Sequence, residues 1–375
     1  MSESSARQAS VKAIDSPAPR PLKRLQALAP YKQGKSQLPG RDRVIKLSSN
    51  EGCFGPSPKA MEAYRALAPE LHRYPDGTQT QLREAIAGVH GIDADRIVCG
   101  NGSEELIGLL IRCFLGEGDE LLLSENNFMM CSIYGKSQAA KIVLAPERDF
   151  QVDVDALLKC ITPRTRVLSV ANPNNPTGTY LPSAEIERLV AEVPPHVLII
   201  LDGAYVEYVT REDYDDGLRW AEKLPNVVVT RSFSKMYGLA GLRIGWAYGP
   251  ADVIEVVNRL RTPFNANAAA LAAAAAAVTD YEHVEHTRRH VAAWQERIAS
   301  ALGDRGVTVV PSVTNFYLVD FEPRADKTAK EAAAVMEANG IIPRPGSADR
   351  FLRITVGTDE ENEALLEVLG GYLDA

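Results

Sequence analysis

The chain has 375 residues, of which 45% are hydrophobic and 24% charged, and its formal net charge is −8. This length and composition exclude a disordered protein and allow one large or two medium-sized domains with a buried core. The acidic net charge argues against nucleic acid or an anionic membrane as the main partner, so a small ligand is expected. The five cysteines are scattered and form no Cys-x-x-Cys pair, which argues against a disulfide framework and predicts a reducing compartment.

The first 49 residues show no pattern typical of a secretory segment. Residues 1–20 are polar and contain prolines without an apolar stretch, which predicts a flexible leader rather than a signal peptide and favours a cytoplasmic protein. We expect residues 21–49 to join the smaller of two domains.

The middle of the chain alternates between two patterns. Short runs rich in β-branched residues predict buried strands, and segments such as Ser103–Phe114 and Ser183–Val193 have helical spacing. Alternating strands and helices predict an α/β domain with a mainly parallel sheet covered by helices on both faces, which we place at residues 50–265. The strand runs are Arg96–Cys99, Glu120–Leu123, Lys141–Leu144, Val167–Val170, Val197–Leu201 and Asn226–Thr230.

The pattern changes after Pro263. Long helices are predicted around Ala268–Val278 and Tyr281–Leu302, followed by strands at Asn315–Phe321 and Arg353–Val356. The alanine-rich first helix is far shorter than the roughly 20 residues of a membrane span, so close helix packing is expected instead. Residues 266–375 are therefore predicted to form a smaller α+β domain.

Unusual residues follow the predicted strands, and ligands of open α/β sheets bind beyond the carboxyl ends of the strands. The first strand leads into Gly100–Glu105, where two glycines allow unusual backbone conformations and Ser103 is expected to cap the next helix. A glycine turn followed by a helix N-terminus is typical of a phosphate-binding site, which we call the phosphate cradle. A later strand leads into Asn172–Gly178, a proline-containing turn that fixes the Asn175 amide.

Two further strand ends carry ionisable groups. One ends at Asp202 with Tyr205 nearby, and the other leads into the segment 232–235, which ends in a lysine, with Arg243 beyond it. Each feature alone has an ordinary structural explanation, because glycine turns are common, strand-end acids cap helices and lone lysines are usually solvated. Their occurrence at successive strand ends predicts one shared crevice. A dinucleotide site is disfavoured, since the third glycine of that motif is absent.

Pyridoxal 5′-phosphate (PLP) is a ligand that uses all of these groups. Asp202 would pair with its ring nitrogen and keep it protonated, so that the ring withdraws electrons. Asn175 and Tyr205 would bind the ring hydroxyl, and the Lys235 amine would condense with the aldehyde and later move a proton. The expected phosphate ligands are Ser103, the Glu104 N–H group, Ser232, Ser234 and Arg243.

The ordered motifs resemble those of the histidinol-phosphate aminotransferases, which are fold type I PLP-dependent enzymes. The resemblance extends from about Leu22 onward and implies a seven-stranded sheet, a smaller domain and aminotransferase activity. Its motifs are KLSSNEGCFGPSPKA (46–60), RYPDG (73–77), GNGSEEL (100–106), NPNNPTG (172–178), DGAY (202–205), SFSKMYGLAGLRIGW (232–246), PFNAN (263–267), PSVTNF (311–316) and RITVGT (353–358).

The resemblance implies further site residues. Phe128 matches an aromatic ring stacked on the cofactor, although position alone is equally compatible with a core side chain. Tyr74 matches a phenol that crosses a homodimer interface to the partner's cofactor phosphate. Arg353 matches an arginine that binds the substrate anion, the alternative being a surface ion pair, and Arg344 and Asn50 are expected beside it.

Four departures from the family pattern concern specificity. Gly52-Cys53 replaces Asn-Pro, Cys131 replaces a tyrosine, Gly203 replaces the glutamate that many members carry, and the loop 344–350 is short. We place Gly52, Cys131 and the loop on the substrate side.

Histidinol phosphate with 2-oxoglutarate is the expected substrate pair, and an aromatic amino acid is the alternative. A PLP-dependent decarboxylase of a phosphorylated amino acid and a cofactor-sensing regulator without turnover are the competing functions. The regulator would need a DNA-binding domain, for which residues 1–20 offer no candidate.

Two clusters are set aside. His283, His286 and His290 have spacing that resembles a metal site, but the neighbouring glutamates and arginines favour a solvated helix face, and no metal is expected. Cys99 and Cys113 are expected to be ordinary buried residues.

Overall fold

A seven-stranded sheet lies at the centre of the structure, a computed structural model that describes residues 19–26, 28–31, 33–41, 43–346 and 349–375. Residues 1–18 of the predicted leader lie outside the described residues. The strands are β1 Ile45–Lys46, β2 Ile97–Gly100, β3 Glu120–Ser124, β4 Lys141–Ala145, β5 Glu147–Arg148, β6 Gln151–Val152, β7 Thr165–Ala171, β8 Leu198–Asp202, β9 Val227–Ser232, β10 Gly245–Tyr248, β11 Thr308–Val310, β12 Phe316–Asp320, β13 Ile341–Ile342, β14 Arg344–Pro345 and β15 Phe351–Thr355. The helices are α1 Lys23–Gln26, α2 Pro58–Ala66, α3 Thr80–His90, α4 Ser103–Phe114, α5 Met129–Ser137, α6 Val154–Lys159, α7 Ser183–Glu192, α8 Leu218–Lys223, α9 Ala251–Leu260, α10 Ala268–Val278, α11 Tyr281–Gly303, α12 Ala329–Ala338 and α13 Asp359–Asp374.

The strand order of the central sheet is β2-β10-β9-β8-β7-β3-β4. Strands β9, β8, β7, β3 and β4 run parallel to one another, and β10 is antiparallel to both of its neighbours. The mainly parallel sheet predicted from the sequence is therefore confirmed. All six predicted runs are strands of it, and the seventh strand, β10, was not among them.

Both faces of this sheet are buried, which explains its continuous apolar runs. On one face, Leu121, Val167, Ile200 and Val228 join a cluster with apolar residues of α4, α5 and α9. The alternate strand residues face a second, larger cluster on the other side. Each fully buried valine or leucine contributes roughly 1.5–3 kcal/mol, so this double burial stabilises the strand ends on which the site is built.

Helix α10 shows why an alanine-rich segment forms a core helix here. Asn267 caps it by accepting a hydrogen bond from the Ala270 N–H group, and alanine is the strongest helix former. Its small side chains allow close packing against α2 and α3, as expected. Among the described residues, the helices lack the combined length and apolar character needed to cross a membrane.

The C-terminal part contains a four-stranded antiparallel sheet in the order β11-β12-β15-β14. Strand β1, which belongs to the N-terminal segment, pairs in parallel with β13, the strand that follows α12. Helix α13 begins with a capping box formed by Thr358 and Glu361. The domain boundary at residues 265/266 stays a prediction.

The solvated face predicted for the histidines of α11 is confirmed for His286, which is exposed, whereas His283 and His290 are partly buried. The ring of Phe54 stacks on His286 at 4.7 Å and contacts His290 at 4.6 Å. The ring nitrogens Nε2 of His283 and His290 lie 3.2 and 2.8 Å from the carbonyl oxygens of Gly55 and Gly357. Phe54 and Gly55 belong to the loop after β1, and Gly357 follows β15, so the partly buried histidines contact two separate segments of the chain.

Candidate active site

The carboxyl ends of the parallel strands open onto a cavity of about 760 Å³. Residues from the large sheet, the N-terminal segment and the small domain line it. The sequence-predicted residues in its wall are Asn50, Phe128, Asn175, Tyr205, Lys235, Arg344 and Arg353.

The amine of Lys235 lies in this cavity. Its Nζ donates to the carbonyl oxygen of Ser49 at 3.0 Å and lies 5.8 Å from the ring centroid of Tyr205. Withdrawal from bulk water, followed by the positive charge of Arg353, lowers the pKa of Lys235 to about 8. A neutral amine, the form that acts as a nucleophile, is therefore accessible near physiological pH.

The phenol of Tyr205 is held by two amides. Its oxygen accepts from Nδ2 of Asn50 at 3.0 Å and from Nδ2 of Asn175 at 3.4 Å. Asn50 has a φ of 56°, a conformation that asparagine tolerates better than most residues, and its N–H group donates to Thr355 Oγ1 at 3.0 Å. Burial raises the pKa of Tyr205 to about 12, so the phenol keeps its proton.

Asp202 is the last residue of β8 and does not line the cavity wall. Its Oδ1 accepts a hydrogen bond from Oγ1 of Thr230 at 3.1 Å. Desolvation raises the pKa of Asp202, while the Thr230 hydroxyl and the charges of Arg231 and Lys235 oppose that rise. The Asp202 carboxylate opposes the fall in the pKa of Lys235, and the Lys235 charge opposes the rise in the pKa of Asp202.

The predicted phosphate cradle comes together around Arg243. Its Nη1 donates to Ser234 Oγ at 3.1 Å, and the Ser234 N–H group donates to Ser232 Oγ at 3.1 Å. A Cβ atom on Gly102 would lie 2.5 Å from Arg243 Nη2, so only glycine lets the guanidinium approach the first turn of α4. A cation, two hydroxyls and a helix N-terminus are the groups that bind phosphate.

The expectation that Ser103 caps α4 is wrong. The helix begins at Ser103 itself, and Gly102 occupies the N-cap position without a side-chain hydrogen bond. Gly102 has a φ of 91°, which glycine alone adopts without strain, and this turn directs the chain into the helix. Glu104 lies in the first turn, where its carboxylate accepts from the Tyr134 hydroxyl at 3.1 Å.

Two arginines of the small domain face the cavity from adjacent strands. Arg353 on β15 and Arg344 on β14 are paired in register, and the positive charge of Arg344, after desolvation, lowers the pKa of Arg353. Arg353 donates from Nη1 to Asn175 Oδ1 at 2.6 Å and from Nη2 to Ser48 O at 3.1 Å. Like charges opposite each other on adjacent strands are unfavourable, and a bound anion would relieve that repulsion.

Phe128 and Tyr74 have different surroundings. Phe128 directly precedes α5, lines the cavity and also packs against the hydrophobic core. Its position is therefore compatible both with a ring that stacks on a cofactor and with a core side chain. Tyr74 is 83% exposed and stacks on the ring of Phe264 at 4.8 Å, outside the cavity. Its reach into a partner subunit stays a prediction.

The three departures assigned to the substrate side also differ in position. Of these, Cys131 and Gly52 are not in the cavity wall. Cys131 is buried with its Sγ 3.9 Å from Ser169 Oγ, and a Cβ on Gly52 would lie 2.5 Å from the carbonyl oxygen of Lys235. The loop 344–350 does reach the cavity through residues 344–346, and residues 347 and 348 lie outside the described part of the chain.

Several residues at or beside this site were not predicted from the sequence, and Tyr31 and Thr230 are two of them. Tyr31 lines the cavity from the N-terminal segment, which has no periodicity that could indicate the contact. The sequence predicts only that Thr230 lies in a strand. In the structure Thr230, on β9, pairs in register with Asp202 on the neighbouring strand β8.

Residues 42–369 match the family of aminotransferase class I and II. The chain belongs to this family. It is 50% identical over 366 residues to a histidinol-phosphate aminotransferase of Paramagnetospirillum magneticum, which covers 96% of this chain and all of that protein. It is also 47% identical to a histidinol-phosphate aminotransferase of Granulibacter bethesdensis, over 95% of this chain and 96% of that protein.

Solved structures agree with this assignment. The histidinol-phosphate aminotransferase of Sinorhizobium meliloti, determined in complex with pyridoxal 5′-phosphate, is 28% identical, with a TM-score of 0.87 over 97% of this chain and 99% of that chain. The L-threonine-O-3-phosphate decarboxylase of Porphyromonas gingivalis, with 24% identity and a TM-score of 0.77 over 88% of this chain and all of that chain, shares the fold alone. The chain is thus an aminotransferase of fold type I, and the resemblance to histidinol-phosphate aminotransferases is confirmed.

Proposed function

We propose that this aminotransferase uses PLP to exchange an amino group between the pairs histidinol phosphate/imidazole acetol phosphate and glutamate/2-oxoglutarate. The observation that carries the proposal is the Lys235 amine, which faces the cavity with a lowered pKa and Tyr205 and Arg353 around it. The curated relatives at 45–50% identity over nearly the whole chain support the substrate pair.

The donor set of the site fits PLP. Arg243, Ser232 and Ser234 offer the charge and the hydroxyls that a phosphate needs, and Gly102 leaves room beside them. Asp202 offers a carboxylate to a protonated ring nitrogen. When bound, PLP supplies an acceptor for the electron pair that remains when a substrate carbon loses its proton.

Lys235 is the group that we propose to move that proton. Its amine has a pKa of about 8, so it can accept a proton from the substrate carbon and return it without an extreme pH. Tyr205 and Asn175 keep fixed positions through their mutual hydrogen bond and would orient the ring hydroxyl. Phe128, at the cavity wall, would pack on the ring face.

The Arg344–Arg353 pair supports an anionic substrate. Two guanidinium groups in register on neighbouring strands face one cavity, and each can bind phosphate or carboxylate oxygens in a planar, bidentate manner. Asn50 lines the same wall. Histidinol phosphate carries a phosphate and 2-oxoglutarate carries two carboxylates, so one pair of arginines can serve both partners in turn.

We further propose a homodimer in which Tyr74 reaches the partner's phosphate cradle. An aromatic side chain that is 83% exposed and held by a ring stack on Phe264 supports a role outside its own subunit. Cytoplasmic location stays a prediction.

A half-reaction screen tests the function. Purified protein loaded with PLP is mixed separately with histidinol phosphate, phenylalanine, tyrosine and phosphothreonine, and loss of the visible cofactor band is followed. We expect histidinol phosphate to give the fastest loss, with a keto product and no carbon dioxide. Faster reaction with the aromatic amino acids would favour the aromatic aminotransferase, and carbon dioxide from phosphothreonine without a keto product would favour the decarboxylase. If Lys235→Ala still turned over, the proposed role of the lysine would be wrong.

A further inference from the structure

Thr230 and Asp202 lie opposite each other in the central sheet. Strands β8 and β9 are parallel, and Asp202 pairs in register with Thr230. Side chains in register on neighbouring strands share one face, so the hydroxyl and the carboxylate meet, with Oγ1 and Oδ1 3.1 Å apart.

A hydroxyl at this position is not required for packing. Thr230 is 0% exposed, and the three residues before it in β9 are buried valines, whose shape threonine shares. A valine would fill the same space without burying a polar group, which is unfavourable unless that group is hydrogen-bonded. The hydroxyl therefore matters through its bond to Asp202.

The direction of this bond favours the charged form of the carboxyl group. A hydroxyl has one proton, and donating it to Oδ1 stabilises a carboxylate more than a carboxylic acid. The carbonyl oxygen of Thr230 is occupied separately, since it accepts from the Gly203 N–H group at 2.9 Å. Because Thr230 is β-branched and lies in a strand, its side chain has few accessible rotamers, and the hydroxyl stays directed toward Asp202.

Other groups also act on Asp202. The Ala204 N–H group and the positive charges of Arg231 and Lys235 favour the carboxylate, whereas desolvation opposes it. Asp202 also acts electrostatically on the Cys131 thiol of α5 and on the Tyr205 phenol, and both keep their protons because burial raises the pKa of each to about 12. Within the described part of the chain, Thr230 is the neutral side chain that donates a hydrogen bond to the Asp202 carboxylate.

We propose that Thr230 is a positioning residue that keeps the Asp202 carboxylate ionised and oriented toward the ring nitrogen of the cofactor. The inference rests on the proposed use of PLP. Thr230 acts through Asp202, so its loss would weaken the pairing of the ring nitrogen and make the ring a poorer electron acceptor.

The test compares three variants of the full chain. Thr230→Val removes the hydroxyl and keeps the shape, and Thr230→Ser keeps the hydroxyl. Thr165→Val is the matched control, because Thr165 is also 0% exposed in the central sheet and its Oγ1 lies 3.5 Å from a carboxylate oxygen of Glu120, away from the cavity.

The readouts are the dissociation constant of PLP, the rate of the first half-reaction, the pH dependence of the visible band of the bound cofactor, and ¹⁵N NMR of ring-labelled PLP for protonation of its nitrogen. We expect Thr230→Val to weaken PLP binding and slow the first half-reaction by about tenfold each, with a smaller protonated fraction of the ring nitrogen, because hydrogen bonds to charged groups are worth that much. Thr230→Ser is expected to have PLP affinity and a half-reaction rate within about twofold of the wild type, and Thr165→Val should leave all four readouts unchanged.

The inference is overturned if Thr230→Val loses thermal stability alone and matches Thr165→Val in PLP affinity and in the NMR signal. If Thr230→Val does not fold, Thr230→Ala is judged by the same readouts. A wild-type protein that binds no PLP would instead overturn the proposed function, so the two failures are distinguishable.

Discussion

Nη1 of Arg353, on the small-domain strand β15, donates a 2.6 Å hydrogen bond to Oδ1 of Asn175, on the loop after β7 of the central sheet. A residue proposed to bind the substrate anion is thus joined directly to a residue proposed to bind the cofactor. Substrate binding at Arg353 would compete for this bond and change the contacts of Asn175.

Replacing Arg353 by alanine should impair substrate binding more than cofactor binding. Truncating an arginine that pairs with a desolvated anion costs about 2–5 kcal/mol, which we expect as a loss in kcat/KM for histidinol phosphate with PLP affinity changed far less. Steady-state kinetics and a PLP titration measure the two effects. The control is Arg297→Ala, since Arg297 is half-exposed and its ion pair with Glu363 is worth about 0–1 kcal/mol. Equal effects of both variants would place Arg353 outside the substrate site.

Gly102→Ala should reduce the affinity for PLP. The new Cβ would lie 2.5 Å from Arg243 Nη2, so the guanidinium must leave the phosphate cradle, and we expect PLP affinity to fall by at least about tenfold. Gly118→Ala is the matched control, because Gly118 has a similar positive φ of 83° but no atom within 4 Å of the added Cβ. Both variants should lose about 1 kcal/mol of stability from backbone strain. A PLP titration that gave the control the same loss of affinity would contradict the assignment.

The buried lysine should destabilise the cofactor-free protein at neutral pH. Its folded pKa of about 8 is below the ordinary value of 10.5, so the unfolded state binds more protons between these values, and stability rises with pH across that window. Lys235→Met should therefore raise the melting temperature at pH 7. The difference from the wild type should shrink as the pH rises from about 8 toward 10.5, and thermal melts over this range measure it. A difference that is constant with pH would argue against the lowered pKa.

Mixed dimers test the proposed role of Tyr74. In a dimer of one Tyr74→Ala subunit and one Lys235→Ala subunit, one site has both an intact lysine and an intact tyrosine if Tyr74 crosses between subunits. Co-expression should therefore give more activity than Tyr74→Ala alone at equal subunit concentration. Co-expressed Lys235→Ala and Lys235→Met subunits provide the inactive control. No gain in the mixed dimers, once isolated through separate affinity tags, would mean that Tyr74 serves its own subunit or none.

The sequence predicted the central sheet well because burial on both faces leaves continuous β-branched runs such as Asn226–Thr230. Strand β10 escaped prediction because Gly245–Tyr248 is four residues long, begins with glycine and has no β-branched residue. The residue type of Ser103 predicts a helix cap, whereas the backbone freedom of Gly102 decides where α4 begins.

The site was predictable where its residues follow strands and unpredictable where distant segments meet. The sequence predicts one crevice for Asp202 and Lys235 because parallel strands end at one edge of a sheet, and in the structure Lys235 lines the cavity whereas Asp202 lies beside it at the end of β8. The contact of Thr230 with Asp202 follows from strand register, which a single run does not reveal. Local patterns carry no information about the bond between Asn175 and Arg353, which depends on how the small domain packs against the sheet.

The pairing of β1 with β13 has a consequence for biosynthesis. Ile45 finds its partner at Ile341, roughly 300 residues later in the chain, so the ladder closes only after most of the polypeptide has left the ribosome. Until then Ile45 and Lys46 remain unpaired on the nascent chain, so this edge of the small domain is completed late in synthesis.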